Sequence, residues 1–316
     1  MAQVVALCGG VGGAKLACGL AARLTPDELT IVVNTGDDFE HLGLTVCPDL
    51  DSVVYAMAGL SDRERGWGLA GETGGFISAL RRLGGEAWFN LGDHDLAMHV
   101  ERTRRLAAGE PLSAVTAALS ERLGVAHRVT PMSDDPVRTF IATAEGPLPF
   151  QVYFVRERCE PVATGFEFRG AAQARPNPDA LAALRGPDLA AIVICPSNPY
   201  VSIDPILATP GFRQALVERR VPCVAVSPIV GGEALKGPLA KMMAELGLPV
   251  GIAAIAQHYR GLIDGLVIDD VDAADRAGLE AEGLAVLVTG SVMRSDADRE
   301  RLAADTLAFA GRLRRA

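Results

Sequence analysis

Residues 4–33 read VVALCGGVGGAKLACGLAARLTPDELTIVV, and this stretch decides the fold. Val4–Cys8 is a short apolar strand that runs into the glycine-rich turn Gly9–Gly13. The pattern predicts an amphipathic helix over Ala14–Arg23 and a second, β-branched strand over Leu29–Val33. Two apolar strands joined by a crossover helix are typical of a parallel sheet covered by helices.

The same alternation continues along the chain. Further strands are predicted at Ala87–Asn90, Leu189–Cys195, Cys223–Val226, Gly251–Ala254, Gly265–Ile268 and Ala285–Leu287, and helices at Leu50–Ala58, Thr73–Leu83, Asp95–Ala108, Leu112–Leu123 and about Asp296–Arg314. Only the middle differs, where turns separate short strands at His127–Met132, Thr139–Thr143 and Phe150–Val155. We therefore predict one α/β domain over residues 1–316 with a doubly wound, mainly parallel sheet, and a helical and β-meander insertion at approximately residues 90–165.

Composition narrows the class of partner. The chain has 316 residues, 49% of them hydrophobic, and a net charge of −9. An acidic chain of this kind is not expected to offer a broad nucleic-acid-binding surface. The first residues enter a strand without a basic segment, and no apolar stretch reaches the roughly 18–20 residues of a membrane span. We predict a cytoplasmic protein with neither nucleic acid nor membrane as partner.

Four aspartates are crowded behind the second strand. Residues 30–51 read TIVVNTGDDFEHLGLTVCPDLD and contain Asp37, Asp38, Asp49 and Asp51. Carboxylates this close repel one another unless a proton or a cation lies between them. Asp49 and Asp51 have a second explanation, as favourable charges in the first turn of the Leu50–Ala58 helix. A magnesium ion held by one or two carboxylates and a substrate phosphate explains the whole group better.

The glycine-rich turn predicts an anion site. Its glycines allow a ligand to approach the backbone, and the following helix presents free N–H groups and positive potential. The candidate residues are Gly10, Val11, Gly12, Gly13 and Lys15. The turn is neither a Walker A loop nor a complete dinucleotide fingerprint. A tight strand-to-helix turn without a ligand is the alternative interpretation.

Polar residues also follow later strands. The candidates for ligand contact in these segments are Asp93, His94, Ser197, Asn198, Ser202, Ser227 and Lys236. Ligands of α/β proteins bind beyond the carboxyl ends of the strands, which favours a functional role. For Asp93 a helix N-cap, and for Lys236 a solvated surface position, are the alternatives.

Seven ordered segments together resemble the 2-phospho-L-lactate transferase family of coenzyme F-420 biosynthesis. They are GGVGGAKLA, NTGDDFEHLGL, CPDLDSVVYAMAG, LGDHDLAMH, PMSDDPVRT, PSNPYVSIDPIL, and SPIVGG followed by KGP. The resemblance implies a Rossmann-like fold, usually dimeric, and a magnesium-dependent reaction. A phospholactyl, phosphoenolpyruvyl or phosphoglyceryl group would pass from a guanosine diphosphate-linked donor to the terminal hydroxyl of the deazaflavin Fo, releasing GMP.

The resemblance also implies roles for individual residues. Asp37 and Asp51 would hold Mg²⁺ or orient the acceptor hydroxyl, and Asp38 is a candidate base. Asp51, Asn90, Asp93 and His94 would contact Fo, while the glycine turn and the later serine-containing segments would hold the nucleotide. Two positions depart from the family pattern: Asn90 stands where a basic residue is common, and His94 replaces arginine in LGDRD. Arginine and histidine differ in charge at neutral pH. If the family arginine binds a phosphate, His94 replaces it only in part or only when protonated.

A binding protein is the alternative to an enzyme. A related family binds nucleotide sugars and acts in regulation without transferase activity. Fo absorbs and fluoresces in the visible, so titration with Fo separates the two hypotheses.

Overall fold

A computed structural model describes residues 2–313 of the chain. Its strands are β1 (Gln3–Cys8), β2 (Leu29–Val33), β3 (Phe39–His41), β4 (Leu44–Val46), β5 (Arg128–Pro131), β6 (Arg138–Ala142), β7 (Leu148–Pro149), β8 (Gly165–Arg169), β9 (Leu189–Ile194), β10 (Cys223–Val226), β11 (Ile229–Val230), β12 (Glu233–Ala234), β13 (Gly265–Ile268) and β14 (Ala285–Val288). Its α-helices are α1 (Gly10–Ala21), α2 (Pro48–Met57), α3 (Gly75–Arg82), α4 (Asp93–Ala107), α5 (Leu112–Arg122), α6 (Pro178–Arg185), α7 (Asp204–Ala208), α8 (Phe212–Glu218), α9 (Leu239–Glu245), α10 (Ile252–His258), α11 (Arg276–Ala281) and α12 (Asp296–Arg312).

The main sheet has seven strands in the order β14-β13-β10-β9-β1-β2-β5, and every neighbouring pair is parallel. Counted in chain order within this sheet, the arrangement is 3-2-1-4-5-6-7, the doubly wound order of Rossmann-like folds. The predicted fold class is confirmed. The strand order reverses between β1 and β9, which is the switch point where α/β proteins place their ligands.

The strands around the switch point end at the same level. Cys8 pairs with Val33 and Leu7 with Ile194, and the amide of Asn34 donates to the carbonyl of Cys8 at 3.0 Å. The turns that follow β1, β2 and β9 therefore begin side by side. This register brings the three polar segments predicted from the sequence to one edge of the sheet.

Helices cover both faces of the sheet. In β1, Val4, Ala6 and Cys8 point into a core shared with α1, α2 and α12, whereas Val5 and Leu7 point into a core shared with α6 to α10. This alternation is the period of two expected for a strand. A strand buried on both faces has no place for charged side chains, so they concentrate beyond its end. Within residues 2–313, no helix is long and apolar enough to cross a membrane.

Several predicted elements are wrong. Gly251–Ala254 is not a strand, because Ile252 and Ile255 are both buried in helix α10. Phe150–Val155 is mostly a π-helical segment in which Phe150 stacks on Phe154 at 5.5 Å. A short apolar run has no period that separates strand from helix. Ala87–Asn90 forms no strand either, and the rings of Trp88 and Phe89 pack against Phe39 of β3.

The middle of the chain also differs from the predicted meander. Strand β5, predicted as part of it, instead pairs with β2 at the edge of the main sheet. The small antiparallel sheet has the order β7-β6-β8, so β6 is central and the unpredicted β8 completes it. The hairpin of β3 and β4 inside the acidic segment was not predicted. The division into one domain with an insertion stays a prediction.

Helix α1 approaches α12 so closely that only glycine fits at position 19. A Cβ atom there would lie 2.1 Å from the backbone carbonyl oxygen of Arg299. We expect Gly19→Ala to lower the free energy of unfolding by about 1–3 kcal/mol through overpacking. Urea denaturation followed by circular dichroism measures this change.

Gly311→Ala in α12 is the matched control, because a Cβ there meets no atom of residues 2–313 within 4 Å. Alanine should leave stability unchanged or raise it by up to about 1 kcal/mol through helix propensity. Equal effects of the two substitutions would contradict the close-packing explanation.

Candidate functional site

A serine fastens the glycine turn to the turn after β9. The Ser197 hydroxyl accepts from the amide of Gly9 at 3.1 Å and donates to its carbonyl at 2.8 Å. A Cβ on Gly12 would lie 2.3 Å from the carbonyl oxygen of Pro196. Gly12 therefore has a steric reason to be glycine. The Ser197 side chain stabilises this junction, and its predicted contact with a nucleotide stays a prediction.

Asp49 joins three elements of the site. Its carboxylate accepts from the Gly10 amide at 2.7 Å and from the Asn34 side-chain amide at 2.9 Å. Asn34 donates to the carbonyl of Val201 at 3.2 Å and accepts from the amide of Gly36 at 2.8 Å. Burial raises the pKa of Asp49 to about 6. Asp49 is thus a structural carboxylate rather than only a favourable charge at a helix start.

The glycine-rich segment is itself the first turn of a helix. Helix α1 begins at Gly10 and not at Ala14 as predicted, and Gly10 has a φ of +61°. N–H groups in the first turn of a helix have no intrahelical acceptor, which makes them available to an anion. The amide of Gly10 is already bonded to Asp49, so those of Val11, Gly12 and Gly13 are the candidates.

Two basic side chains lie close enough to Lys15 in α1 to act on its charge. Lys15 is half-buried, and its ammonium group donates to the carbonyl of Met293 at 3.0 Å. Burial lowers the pKa of Lys15, and the charges of Lys236 and Arg299 lower it further. Arg299 also pairs with the carboxylate of Asp296 at 3.0 Å. The sequence did not indicate Arg299, since α12 lies at the opposite end of the chain from α1.

Asp37 and Asp38 are buried, and each has a carboxylate oxygen that lacks a hydrogen-bond partner among the described residues. Oδ1 of each carboxyl has no hydrogen-bond partner among the described residues, and the same holds for the hydroxyls of Thr35 and Thr139. Buried polar atoms are nearly always paired, so a group of unpaired oxygens indicates a ligand or an ion. Thr139 belongs to this group because β6 packs on the turn, where its amide donates to the carbonyl of Gly36 at 2.7 Å.

The two carboxyls differ in their electrostatics. Burial and the neighbouring charge of Asp49 raise the pKa of Asp37 well above its ordinary value. Burial raises the pKa of Asp38 to about 7, although the Arg138 guanidinium acts in the opposite direction. A positive ion beside these oxygens would remove the penalty, and carboxylate oxygens are the ligands that Mg²⁺ prefers. Asp37 therefore fits its predicted metal role.

Asp51 already has a cationic partner. The buried guanidinium of Arg102 donates to both of its carboxylate oxygens, one of them at 3.1 Å. Any metal at Asp51 would compete with this ion pair, and the predicted metal role of Asp51 stays a prediction. Sequence analysis missed Arg102, yet the spacing of Asp95, His99 and Arg102 on one face of α4 was a usable signal.

A network of buried polar side chains continues from this ion pair between α2 and α4. Arg102 Nη1 lies 3.3 Å from His99 Nδ1, and His99 Nε2 lies 3.3 Å from an oxygen of Asp95. The hydroxyl of Tyr55 donates to Asp95 at 2.5 Å. Single ligand atoms of Asp51, Asp95 and His99 lie within 4.8 Å of one another. In this group Arg102 pairs with Asp51, and His99 lies between the two carboxylates.

Asp93 and His94 lie at the other end of α4. Nine residues separate Asp93 from Arg102, which corresponds to about 14 Å along a helix. Asp93 accepts from the amides of Gly75 and Phe76 at 3.0 and 2.9 Å, so it holds the start of α3. His94 is exposed at an apolar cavity of about 470 Å³ beside Tyr55. The carboxylate of the neighbouring Asp95 lies close to that of Asp51, and the predicted contacts of Asp93 and His94 with Fo stay predictions.

The remaining predicted residues also make internal contacts. Asn198 accepts from the amide of Tyr200, and the Ser227 hydroxyl donates to the carbonyl of Ile229 at 2.9 Å. Lys236 is exposed and donates to the carbonyls of Arg65 and Gly66 at 3.4 and 3.3 Å. Ser202 is buried against Gly9, and Asn90 is exposed. Contacts of these residues with a substrate stay predictions.

Comparison with known proteins identifies the family of the chain. The family model described as 2-phospho-L-lactate transferase CofD matches residues 4–303. The chain is 44% identical to a phosphoenolpyruvate transferase of Streptomyces griseus over 89% of this chain and 90% of that protein. It is 38% identical to a 2-phospho-L-lactate transferase of Methanosarcina mazei over 95% and 98% of the two chains.

A solved structure supports the fold alone. The crystal structure of a UPF0052-family protein from Bacillus halodurans aligns with a TM-score of 0.63 at 16% identity, covering 97% of this chain and 99% of that one. The doubly wound fold and the family match together define a transferase. The chain belongs to the 2-phospho-L-lactate transferase family of coenzyme F-420 biosynthesis. The resemblance seen in the sequence is confirmed.

Asp38 should make stability depend on pH when no divalent cation is present. Its pKa is about 7 in the folded protein against an ordinary 3.8, so the folded state binds more protons between these values. Stability should therefore fall as pH rises through this window. Asp38→Asn should reduce this loss of stability with rising pH. It should also raise the free energy of unfolding at pH 8 by about 1–3 kcal/mol. Thermal melting in EDTA from pH 4 to 8 measures both effects.

Asp275→Asn, at an exposed aspartate, is the control and should leave the pH dependence unchanged. An Asp38→Asn protein whose melting temperature falls with pH as steeply as wild type would contradict the buried-carboxyl explanation.

Arg102 should matter for stability because its removal leaves Asp51 buried and uncompensated. We expect Arg102→Met to lower the free energy of unfolding by about 3–5 kcal/mol. Adding Asp51→Asn to this variant removes the orphaned charge and should restore at least half of the loss. Urea denaturation of Arg102→Met, of Asp51→Asn and of the double variant measures this double-mutant cycle.

Arg104→Met provides the control, since Arg104 is exposed on the same helix and pairs with Glu101 rather than with a buried carboxylate. If the double variant is no more stable than Arg102→Met alone, the unpaired charge of Asp51 is not the cause of the lost stability.

Proposed function

We propose that the protein transfers a phosphoenolpyruvyl group from a guanosine diphosphate-linked donor to the terminal ribityl hydroxyl of the deazaflavin Fo. The hydroxyl oxygen forms a bond to the donor phosphorus that carries the enolpyruvyl group. The bond from that phosphorus to the bridging oxygen breaks, and GMP leaves with that oxygen. The phosphoenolpyruvyl group is chosen over phospholactyl and phosphoglyceryl because similar Streptomyces proteins are phosphoenolpyruvate transferases.

The observation that carries this proposal is the pair of buried, unpartnered carboxylate oxygens of Asp37 and Asp38 at the switch point. They follow β2, directly beside the turn in which α1 presents its free N–H groups. Phosphoryl transfer depends on positioning and charge neutralisation more than on covalent chemistry. A carboxylate pair next to an anion-binding helix start supplies both requirements.

Asp37 is the residue best suited to hold Mg²⁺, with Asp51 as the second predicted ligand. When bound, the ion would neutralise charge on the diphosphate oxygens. Asp37 is buried, carries an unpartnered oxygen and is crowded by Asp49, which supports the assignment. At Asp51, Arg102 supplies a positive charge in any case, and the carboxylate is suited to accept a hydrogen bond from the acceptor hydroxyl.

Asp38 is suited to receive the proton of the acceptor hydroxyl. Its pKa of about 7 lies near physiological pH, where a general base is most effective. The first turn of α1, together with Lys15, Lys236 and Arg299, would hold the diphosphate and the departing GMP. A homodimer and a cytoplasmic location stay predictions.

Incubation of the purified protein with Fo, Mg²⁺ and each of the three guanylated donors tests the proposal. We expect the enolpyruvyl donor to give the fastest turnover, with equal amounts of GMP and of the Fo product identified by mass. Asp37→Asn and Asp51→Asn should lower turnover at least about 100-fold, as loss of a charge-stabilising group does.

Asp275→Asn should turn over like wild type and serves as the control. Near wild-type rates in both site variants would overturn the proposed carboxylate roles. Absence of transfer from every donor, with tight binding of a UDP-sugar, would instead favour the regulatory alternative.

A further inference from the structure

Strand β6 brings an arginine to the acidic turn. The amide of Thr139 donates to the carbonyl of Gly36 at 2.7 Å, and a Cβ on Gly36 would lie 2.5 Å from the Thr139 hydroxyl oxygen. The strand is therefore packed directly against the turn that carries Asp37 and Asp38. Its first residue is Arg138, which is half-buried.

The guanidinium of Arg138 makes little use of its donors within the protein. Its one hydrogen bond within residues 2–313 runs from Nη1 to the carbonyl of the adjacent Val137 at 2.7 Å, and no carboxylate of these residues forms an ion pair with it. A guanidinium presents several N–H donors in a planar fork that matches a carboxylate. Most donors of Arg138 are therefore available to a ligand.

An arginine of the neighbouring strand differs from Arg138 in its pairing. Arg169 lies directly opposite in the small antiparallel sheet, and like charges at opposite positions repel each other. Its guanidinium donates to Glu167 at 3.1 and 3.0 Å, and its Cζ lies 3.7 Å from the centroid of the Phe140 ring. In the described part of the chain Arg138 has no carboxylate paired with it in this way. An anionic ligand would supply that partner.

The charge of Arg138 acts on the acidic turn. Burial raises the pKa of Asp38 to about 7, and the charge of Arg138 is the strongest influence that opposes this rise. The guanidinium therefore lies near Asp38, although the two groups do not form a direct ion pair. A ligand that reaches Asp38 also comes within range of Arg138.

The order of the main sheet separates Arg138 from the candidate nucleotide site. Strand β2, which leads into the acidic turn, lies between β1 and β5. Helix α1 with its free N–H groups follows β1, whereas β5 leads to β6 and Arg138. The helix start and Arg138 therefore lie on opposite sides of the acidic turn. A donor bound across this turn presents its nucleotide to one side and its small acid to the other.

We propose that Arg138 binds the carboxylate of the small acid that the donor carries. The phospholactyl, phosphoenolpyruvyl and phosphoglyceryl groups all contain a carboxylate in addition to the phosphate that is transferred. A carboxylate that loses its hydration needs a positive partner of its own, and the cations beside α1 are assigned to the diphosphate. The inference rests on the proposed function, because it assigns part of the donor in the same site. It does not depend on which of the three acids is transferred.

A matched pair of donors tests the contact. The vinyl ester of guanosine diphosphate is the enolpyruvyl donor without its carboxylate. We expect wild type to use the enolpyruvyl donor with a kcat/KM about 10–100-fold higher, as expected for one hydrogen-bonded pair of charged groups. Arg138→Met should remove most of this preference. Arg138→Lys keeps the charge but not the planar fork, and should retain part of it.

The ratio of the two kcat/KM values separates a carboxylate contact from the effect of Arg138 on Asp38, because that effect is common to both donors. Binding of GDP, measured by calorimetry, and KM for Fo should be unchanged in Arg138→Met. Arg169→Met is the matched control, since it removes a positive charge directly opposite Arg138 from an arginine that is already paired. This variant should keep the wild-type preference. If the lactyl donor proves the faster substrate, the lactyl donor and its ethyl analogue form the pair.

Three outcomes would overturn the inference. Equal use of both donors by wild type would show that the carboxylate is not recognised. A loss in Arg138→Met that is equal for the two donors would show that Arg138 does not contact the carboxylate. Either of these results leaves the transfer reaction standing. Absence of transfer from every carboxylated donor would overturn the proposed function, and the inference with it.

Discussion

Two hydrogen bonds of one buried carboxylate hold the three turns of the site in place. Asp49 accepts from the Gly10 amide at the start of α1 and from the Asn34 side chain at the end of β2. Asn34 in turn bonds to the carbonyl of Val201 in the segment after β9. Because both donors of Asp49 are neutral, its charge is stabilised but not cancelled. That charge is one cause of the raised pKa of Asp37.

The four aspartates of the acidic segment have three different environments. Asp51 is ion-paired with Arg102, and Asp49 is occupied by two N–H donors. Asp37 and Asp38 keep buried oxygens without partners. Burial costs a charge most of its hydration unless another group replaces it. The structure thus separates carboxylates that stabilise the protein from carboxylates that are available to a ligand.

Segments outside the α/β repeat complete the site. Helix α4 supplies Arg102, and β6 brings Thr139 onto the turn that carries Asp37 and Asp38. The hairpin of β3 and β4 carries the rings of Phe39 and His41. A doubly wound sheet offers a crevice at its switch point but no particular chemistry. In this chain the chemistry of the crevice depends on what the inserted segments place over it.

The sequence by itself determined the doubly wound sheet, because apolar strands such as β1 and β2 alternate with amphipathic helices at their own periods. It also located the acidic turn and the glycine-rich helix start, since strand ends are marked by local residue patterns. It misassigned α10 and the segment around Phe150, where short apolar runs carry no distinct period. Only the tertiary structure decided which carboxylate meets Arg102, which two stay unpartnered, and that Trp88 packs against β3. These contacts join residues about 50 or more positions apart in the chain or depend on burial, and no local pattern encodes either of them.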